Sequence, residues 1–121
     1  MRHYLRDSKE FQRVYRNGRR FEGVFITVFV IDNDGVNHRL GVTASKKAIG
    51  NAVQRNRAKR LLRESFRAHK FSLEGLAKHY DWVLNAKSSV LSQKLTSPSQ
   101  ELGAVIEKVG KLELRTSLNE R

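Results

Sequence analysis

The stretch from Asn51 to Arg67, NAVQRNRAKRLLRESFR, constrains the fold more than any other part of the chain. At about 100° per residue, Ala58, Leu61, Leu62, Ser65 and Phe66 fall on one arc of a helix. Asn56, Lys59, Arg60, Arg63 and Arg67 fall on the arc opposite, and Arg55 and Arg57 flank them. Side chains three and four residues apart stack along one side of a helix. The segment therefore predicts a helix that docks on a core through one side and holds out guanidinium forks and an amide on the other. A solvated charged face is the plainer alternative, but such faces mix signs, and the only acid in this segment is Glu64.

The chain around that helix has 121 residues, which by length is a single domain, 1–121, with room for one core. Lys and Arg number 24 against 12 Asp and Glu, for a formal charge of +12. Such an imbalance opposes a compact state unless a partner neutralises it. Nucleic acid is the usual partner for this balance, with an anionic membrane surface as the competitor. No apolar run approaches the roughly 20 residues needed to span a bilayer, and the N-terminus lacks the apolar stretch of a signal peptide.

The absence of cysteine excludes disulfides, thiolate metal sites and a cysteine nucleophile together. It fits a reducing compartment, and the expected location is cytoplasmic. His3, His38, His69 and His79 show no HxxxH or HExxH spacing, so none is expected to hold a metal. P-loop, GxSxG and GxGxxG motifs are missing as well. The expectation is no catalytic residue and no metal site belonging to the protein itself.

Along the chain, Leu5 to Gly18 reads as a short amphipathic helix, with Asp7 and Ser8 as candidate caps and Asn17-Gly18 as the stop. Phe11, Val14 and Tyr15 lie at i, i+3 and i+4. Phe11 and Tyr15 read either as core or as a stacking platform for unpaired bases. Phe21 to Ile31 reads as a strand with Val24, Ile26, Val28 and Val30 on one face and Phe25, Thr27 and Phe29 on the other. Glu22 to Val24 is a candidate for a separate short strand. Asp32-Asn33-Asp34-Gly35 carries the Asp-Gly turn signal, so His38 to Ala44 is expected to return as the second arm of an antiparallel hairpin.

Ser45 to Gly50 then brings Lys46 and Lys47 to the start of the basic helix, where backbone N–H groups favour a phosphate. Phe71 to His79 reads as a loop or weak extra turn. Asp81 to Lys87 reads as a further strand with Trp82, Leu84 and Ala86 on one face. On its other face, Asn85 marks either an edge or the polar side of the sheet. Ser97 to Gln100 reads as a capping box with Pro98 at the first helical position. Leu102, Val105, Ile106, Val109 and Leu112 continue with helical period, and the tail from Arg115 is expected to fray. The order of helix, hairpin, basic helix, strand and helix describes an α+β sandwich with helices packed on a small sheet.

The run RLGVTASKKAIGNAVQRNRAKRLLRESFR, Arg39 to Arg67, closely resembles the signature of the bacterial ribonuclease P protein subunit family. That signature is Arg-Asn-Arg, a Lys-Arg pair and a further Arg, here Arg55, Asn56, Arg57, Lys59, Arg60 and Arg63. The likeness extends to Leu5, Phe11, Val14, Tyr15 and Gly18, and to Asp81 through Lys87, so it spans roughly Leu5 to Leu112. One departure is Asp7, where many relatives carry a basic residue.

The resemblance implies an α+β fold, a single αβββαβα sandwich with a small mixed sheet, whose basic helix lies in a left-handed βαβ crossover. About 98% of such crossovers are right-handed, so residue patterns alone would not suggest it. It also implies a subunit that binds a catalytic RNA and the 5′ leader of precursor tRNA, with Mg²⁺ ions held mainly by the RNA doing the hydrolysis. Lys46, Lys47, Asn51, Arg55, Asn56, Arg57, Lys59, Arg60, Arg63 and Arg67 would contact the catalytic RNA. Phe11, Tyr15, Phe25 and Phe29 would line the leader-binding cleft. The implied partners are these two RNAs, with no membrane and no DNA.

Other readings fit less well. A ribosomal RNA-binding domain shares the charge and the aromatic strand but has less reason to carry the Arg-Asn-Arg register. A helix-turn-helix DNA reader needs a partner helix just upstream of the basic one, where a strand is expected. An autonomous nuclease needs a carboxylate cluster or a His pair, and the acids here are scattered.

Overall fold

The computed structural model describes residues 3–92 and 96–119. In chain order the elements are α1 (Ser8–Asn17), β1 (Arg19–Glu22), β2 (Ile26–Asp32), β3 (Arg39–Thr43), α2 (Ala52–Ala68), α3 (Lys70–Glu74), β4 (Tyr80–Ala86), a 3₁₀ turn (Ser88–Ser92) and α4 (Thr96–Asn119). The four strands form one sheet in the order β1-β2-β4-β3. β1 and β4 both run antiparallel to β2, while β3 and β4 are parallel neighbours joined through α2 and α3. This is the αβββαβα sandwich with a mixed sheet that the family resemblance implies.

The expected hairpin between β2 and β3 is not formed, because β4 lies between them. Asp-Gly is a local signal for a tight turn, but strand pairing is decided by burial on both faces. Every residue of β4 except Asn85 is buried, whereas β1 is mostly exposed. The central position therefore goes to β4. The Asp32–Gly35 segment makes side-chain turns instead: Asp34 N–H donates to Asp32 Oδ1 (2.9 Å), and Gly35 N–H to Asn33 Oδ1 (2.7 Å). The hairpin that does form joins β1 to β2. The expected strand over 21–31 breaks at Gly23 to Phe25, where the Glu101 carboxylate accepts N–H bonds from Val24, Phe25 (2.9 Å) and Ile26 (3.1 Å).

The main core lies on one face of the sheet. Ile26, Val28, Val30, Leu40, Trp82 and Leu84 pack there against Ala58 and Leu62 of α2 and Leu102, Val105, Ile106 and Val109 of α4. Gly103 allows α2 and α4 to meet closely: a Cβ there would sit 2.8 Å from His69 Cε1, and His69 Nε2 lies 2.7 Å from the Ser99 carbonyl oxygen. Helix α4 begins at Thr96, so Pro98 falls within the first turn rather than at its first position, still tolerated there. The helix also continues to Asn119 instead of fraying at Arg115. Its Glu113 secures a second loop, accepting from the N–H groups of Ala77 and Lys78 (3.0 Å each) and from the Tyr80 hydroxyl (2.6 Å). Burial and that carboxylate push the Tyr80 pKa up.

On the opposite face α1 packs Val14 against Leu5, from the segment before it, and Val83. Asp7 is its N-cap in a complete capping box with Glu10. The acid at this position thus has a structural task.

Candidate nucleic-acid interface

Helix α2 begins with a reciprocal cap: Asn51 Oδ1 accepts from Gln54 N–H (2.9 Å) and Gln54 Oε1 from Asn51 N–H (3.1 Å). Asn51 therefore has its side-chain oxygen engaged in the helix, leaving the amide nitrogen for a partner. Ala58, Leu62 and Ser65 are buried, with Leu61 and Phe66 half-buried. Ser65 tolerates this environment because its hydroxyl donates to the Leu61 carbonyl (2.8 Å). Asn56, Arg57, Arg60 and Arg67 are exposed, and Arg55, Lys59 and Arg63 are half-buried. Lys46 and Lys47 are exposed in the preceding turn, which the Ser45 side chain organises by accepting from Ala48 N–H (3.0 Å).

These cations differ from six others in the molecule. Arg13, Arg20, Arg39, Lys78, Lys87 and Lys111 each pair with a carboxylate. Among the described residues, none of Lys46, Lys47, Arg55, Arg57, Lys59, Arg60 and Arg63 does so, and Arg67 reaches only the Tyr4 hydroxyl (3.5 Å). Like charges one turn apart cost a helix a few tenths of a kcal/mol per pair. The arrangement therefore works against the isolated fold and suits a polyanion.

The second surface is the cleft between α1 and the sheet. Phe11 lies over Gly41, where a Cβ would come within 2.6 Å of two ring carbons. Tyr15 is 37% exposed and meets Phe29 edge-on at 4.8 Å, a favourable geometry for aromatic pairs. The Arg20 guanidinium lies 6.0 Å from the centre of the Phe29 ring. Strand registers place Glu22, Thr27, Asn85 and Thr43 in one polar row across the same face. Tyr15 and Thr43 both donate hydroxyl bonds to Asn85 Oδ1, at 2.8 and 2.6 Å.

The expected cleft set is thereby corrected at one position. Phe11, Tyr15 and Phe29 come together, but Phe25 packs against the main core on the other face. The break at Gly23 to Phe25 takes Phe25 out of the alternation that begins at Ile26. Phe11 is half-buried beneath α1, so of the two α1 aromatics Tyr15 is the more open. Residue patterns flagged Asn85 as an outlier in an apolar strand but did not mark it as part of the cleft. Thr43 gave no signal, because its place depends on β3 lying beside β4.

The acids of this face are engaged. Asp81, 1% exposed, accepts from Arg39 Nε (2.8 Å) and Nη2 (2.7 Å) and from Asn33 Nδ2 (2.9 Å). Arg39 Nη1 donates to Glu10 (2.9 Å), and the Asp81 bonds hold the Arg39 pKa above its usual value. Among the described residues, no group of three or more His, Cys, Asp or Glu is placed to hold a metal ion, and no helix is long and apolar enough to cross a membrane.

The described residues thus place a cationic helix on one side of a small α+β sandwich and an aromatic pair, Tyr15 and Phe29, on the sheet's other face. Residues 1–110 match the family model described as Ribonuclease P. The ribonuclease P protein component of Syntrophus aciditrophicus is 38% identical over 104 residues, covering 86% of this chain and 84% of that one. The component from Clostridium botulinum strain Langeland is 35% identical over 106 residues, covering 88% and 93%. Among solved structures, the Staphylococcus aureus RNase P protein superposes with a TM-score of 0.74 at 29% identity, over 88% of this chain and 94% of that one. The Thermotoga maritima protein shares the fold with a TM-score of 0.75 at 23% identity, over 88% and 97%. The chain belongs to the ribonuclease P protein family, whose function is tRNA 5′-end maturation as a subunit of the ribonuclease P holoenzyme.

Proposed function

We propose that the two surfaces divide the work. The face of α2 with Lys46, Lys47, Asn51, Arg55, Asn56, Arg57, Lys59, Arg60, Arg63 and Arg67 docks on the catalytic RNA. The cleft with Phe11, Tyr15 and Phe29 takes the single-stranded 5′ leader of precursor tRNA. The observation that carries this reading is the concentration, on α2 and its preceding turn, of eight cations (Lys46, Lys47, Arg55, Arg57, Lys59, Arg60, Arg63 and Arg67) that make no ion pair with a carboxylate among the described residues. Each phosphate contact releases counterions, so such a face binds RNA backbone with little regard to sequence. The cleft offers ring surface, which any base can stack on.

Among the described residues no three His, Cys, Asp or Glu are grouped to hold a metal ion, whereas Mg²⁺ asks for near-octahedral oxygen donors. Asp81, Glu10, Glu101 and Glu113 are each engaged by arginine, backbone or hydroxyl donors. In this reading Mg²⁺ belongs to the RNA and substrate phosphates, and the protein's part is to bind and orient. The cytoplasm is the proposed compartment.

Reconstitution tests the proposal. The purified protein alone should leave precursor tRNA intact, and adding it to a bacterial catalytic RNA at low Mg²⁺ should restore leader cleavage. Cleavage by the protein without RNA, or no stimulation of an RNA active by itself at high Mg²⁺, would contradict it.

A further inference from the structure

We propose that the pocket between Tyr4 and the C-terminal half of α2 takes one unpaired nucleotide turned out of the catalytic RNA, its base among the rings of Tyr4, His38 and Phe66 and its phosphate on Arg63, Arg67 and Lys70. The inference rests on the α2 face being the RNA-docking surface.

Because β3 is an edge strand of the sheet, the segment before α1 pairs with it. Leu5 N–H donates to the Leu40 carbonyl and Leu40 N–H to the His3 carbonyl, both at 2.9 Å. That pairing sets Tyr4 beside Leu40, and the two line a pocket of about 300 Å³ with the end of α2 and with α3. Leu40 and Leu73 are its buried lining, and His38 and Phe66 are half-buried. A volume at the lower end of the roughly 300–1,000 Å³ range of ligand sites holds one base with its sugar rather than a run of stacked nucleotides. Both His38 nitrogens are engaged, Nδ1 by Tyr80 N–H and Trp82 Nε1–H and Nε2 by the Leu73 carbonyl. His38 therefore offers ring surface, not a hydrogen-bonding edge.

The charges that line the pocket are mostly of one sign. Arg63, Arg67 and Lys70 stand against one acid, Glu74, and among the described residues none of these three cations pairs with a carboxylate. Arg67 reaches the Tyr4 hydroxyl instead (3.5 Å), which joins the ring wall to the cations. Rings beside unpaired guanidinium and ammonium groups match a base and its phosphate, whereas an apolar peptide would leave those charges unanswered. Bases splayed from single-stranded loops and bulges of RNA are taken up on such rings and guanidinium planes. Arg63 and Arg67 also belong to the basic face of α2, so an RNA backbone lying along that face passes the pocket and has to turn out only one base. Leu40, Phe66 and Leu73 pack with the main core, on the side of the sheet away from α1. The nucleotide held here is thus part of docking and distinct from the leader.

The test measures affinity of the protein for catalytic RNA over a series of salt concentrations, together with base-specific chemical modification of the RNA in the holoenzyme. Tyr4→Ala should weaken binding roughly 5- to 150-fold, the range for one base stacked on an aromatic ring, with the salt slope unchanged because no phosphate contact is lost. The side chain is 43% exposed and the pairing with Leu40 is made by backbone groups, so the variant folds. Tyr4→Phe, which keeps the ring, should recover most of the loss. One unpaired base protected by the unaltered protein should regain reactivity in the Tyr4→Ala complex. The proposal is overturned if Tyr4→Ala binds as tightly as the unaltered protein, or if the two complexes show the same protected bases. It is also overturned if free AMP binds the pocket while no protected base depends on Tyr4, which would assign the site to a free nucleotide. If Arg60→Ala with Arg63→Ala leaves catalytic-RNA binding unchanged, the α2 reading falls and this inference with it. If that pair weakens binding but Tyr4→Ala does not, the pocket alone falls.

Discussion

The Arg39 guanidinium and the Asp81 carboxylate meet through two parallel hydrogen bonds, Nε to Oδ1 at 2.8 Å and Nη2 to Oδ2 at 2.7 Å. The pair joins parallel neighbours β3 and β4 at directly opposed positions, and Glu10 extends it to α1. Removing one partner of a buried pair costs about 3–5 kcal/mol, and because Arg39 is partly exposed and still held by Glu10 the cost here lies at the lower end of that range. Asp81→Ala should therefore lower unfolding free energy in urea by about that amount, with loss of α1 docking as well as sheet stability. A change below about 1 kcal/mol would show that the pair is no more than a surface ion pair.

His38 makes stability depend on pH. Its Nδ1 accepts from Tyr80 N–H and Trp82 Nε1–H, both at 3.1 Å, and Nε2–H donates to the Leu73 carbonyl at 3.0 Å. A protonated ring has no acceptor for the first two donors. Burial is the largest influence and, with neighbouring His79, lowers the pKa below 6.5 against the opposing pull of the Leu73 bond. The unfolded chain then binds more protons just below pH 6.5. This contribution is complete above that pH and is lost as pH falls toward the folded-state pKa. Urea titrations at pH 7.5, 6.5 and 5.5 should show the decline, and His38→Gln should be less stable at pH 7.5 but flatter with pH. An equal slope in both proteins would assign the effect elsewhere.

Gly41 sets the depth at which α1 sits. A Cβ placed there collides with the Phe11 ring at 2.6 Å and comes within 3.2 Å of Leu5 Cδ1. Overpacking of this kind costs about 1–3 kcal/mol. Gly41→Ala should lower thermal stability accordingly and weaken leader-dependent binding through displacement of α1. Unchanged melting and unchanged leader binding would mean that Phe11 is free to move aside.

Much of this was legible from residues alone where the signal is local. Helix α2 declares itself through apolar and basic arcs and the Asn51 cap, and α1 through Asp7, its apolar spacing and Gly18. What was illegible depends on distant segments. The Asp34-Gly35 signal favoured a hairpin, but β4 outcompetes β3 for the place beside β2 because both its faces are apolar enough to be buried. Phe25 kept strand alternation on paper; in the fold, Glu101 from α4 gathers the backbone there into a turn. Asn85 stood out as an amide in an apolar strand, yet its orientation required Tyr15 and Thr43 from two other elements.

The measurement that bears most directly on the division into two surfaces is precursor-tRNA affinity as a function of leader length, alongside salt-dependent binding of the protein to catalytic RNA. Arg60→Ala combined with Arg63→Ala should weaken catalytic-RNA binding and reduce the salt slope by roughly one unit per lost phosphate contact. Tyr15→Ala should instead flatten the gain from a longer leader, by about 1–3 kcal/mol for a stacked base. Two variants with the same profile in both assays would contradict the account.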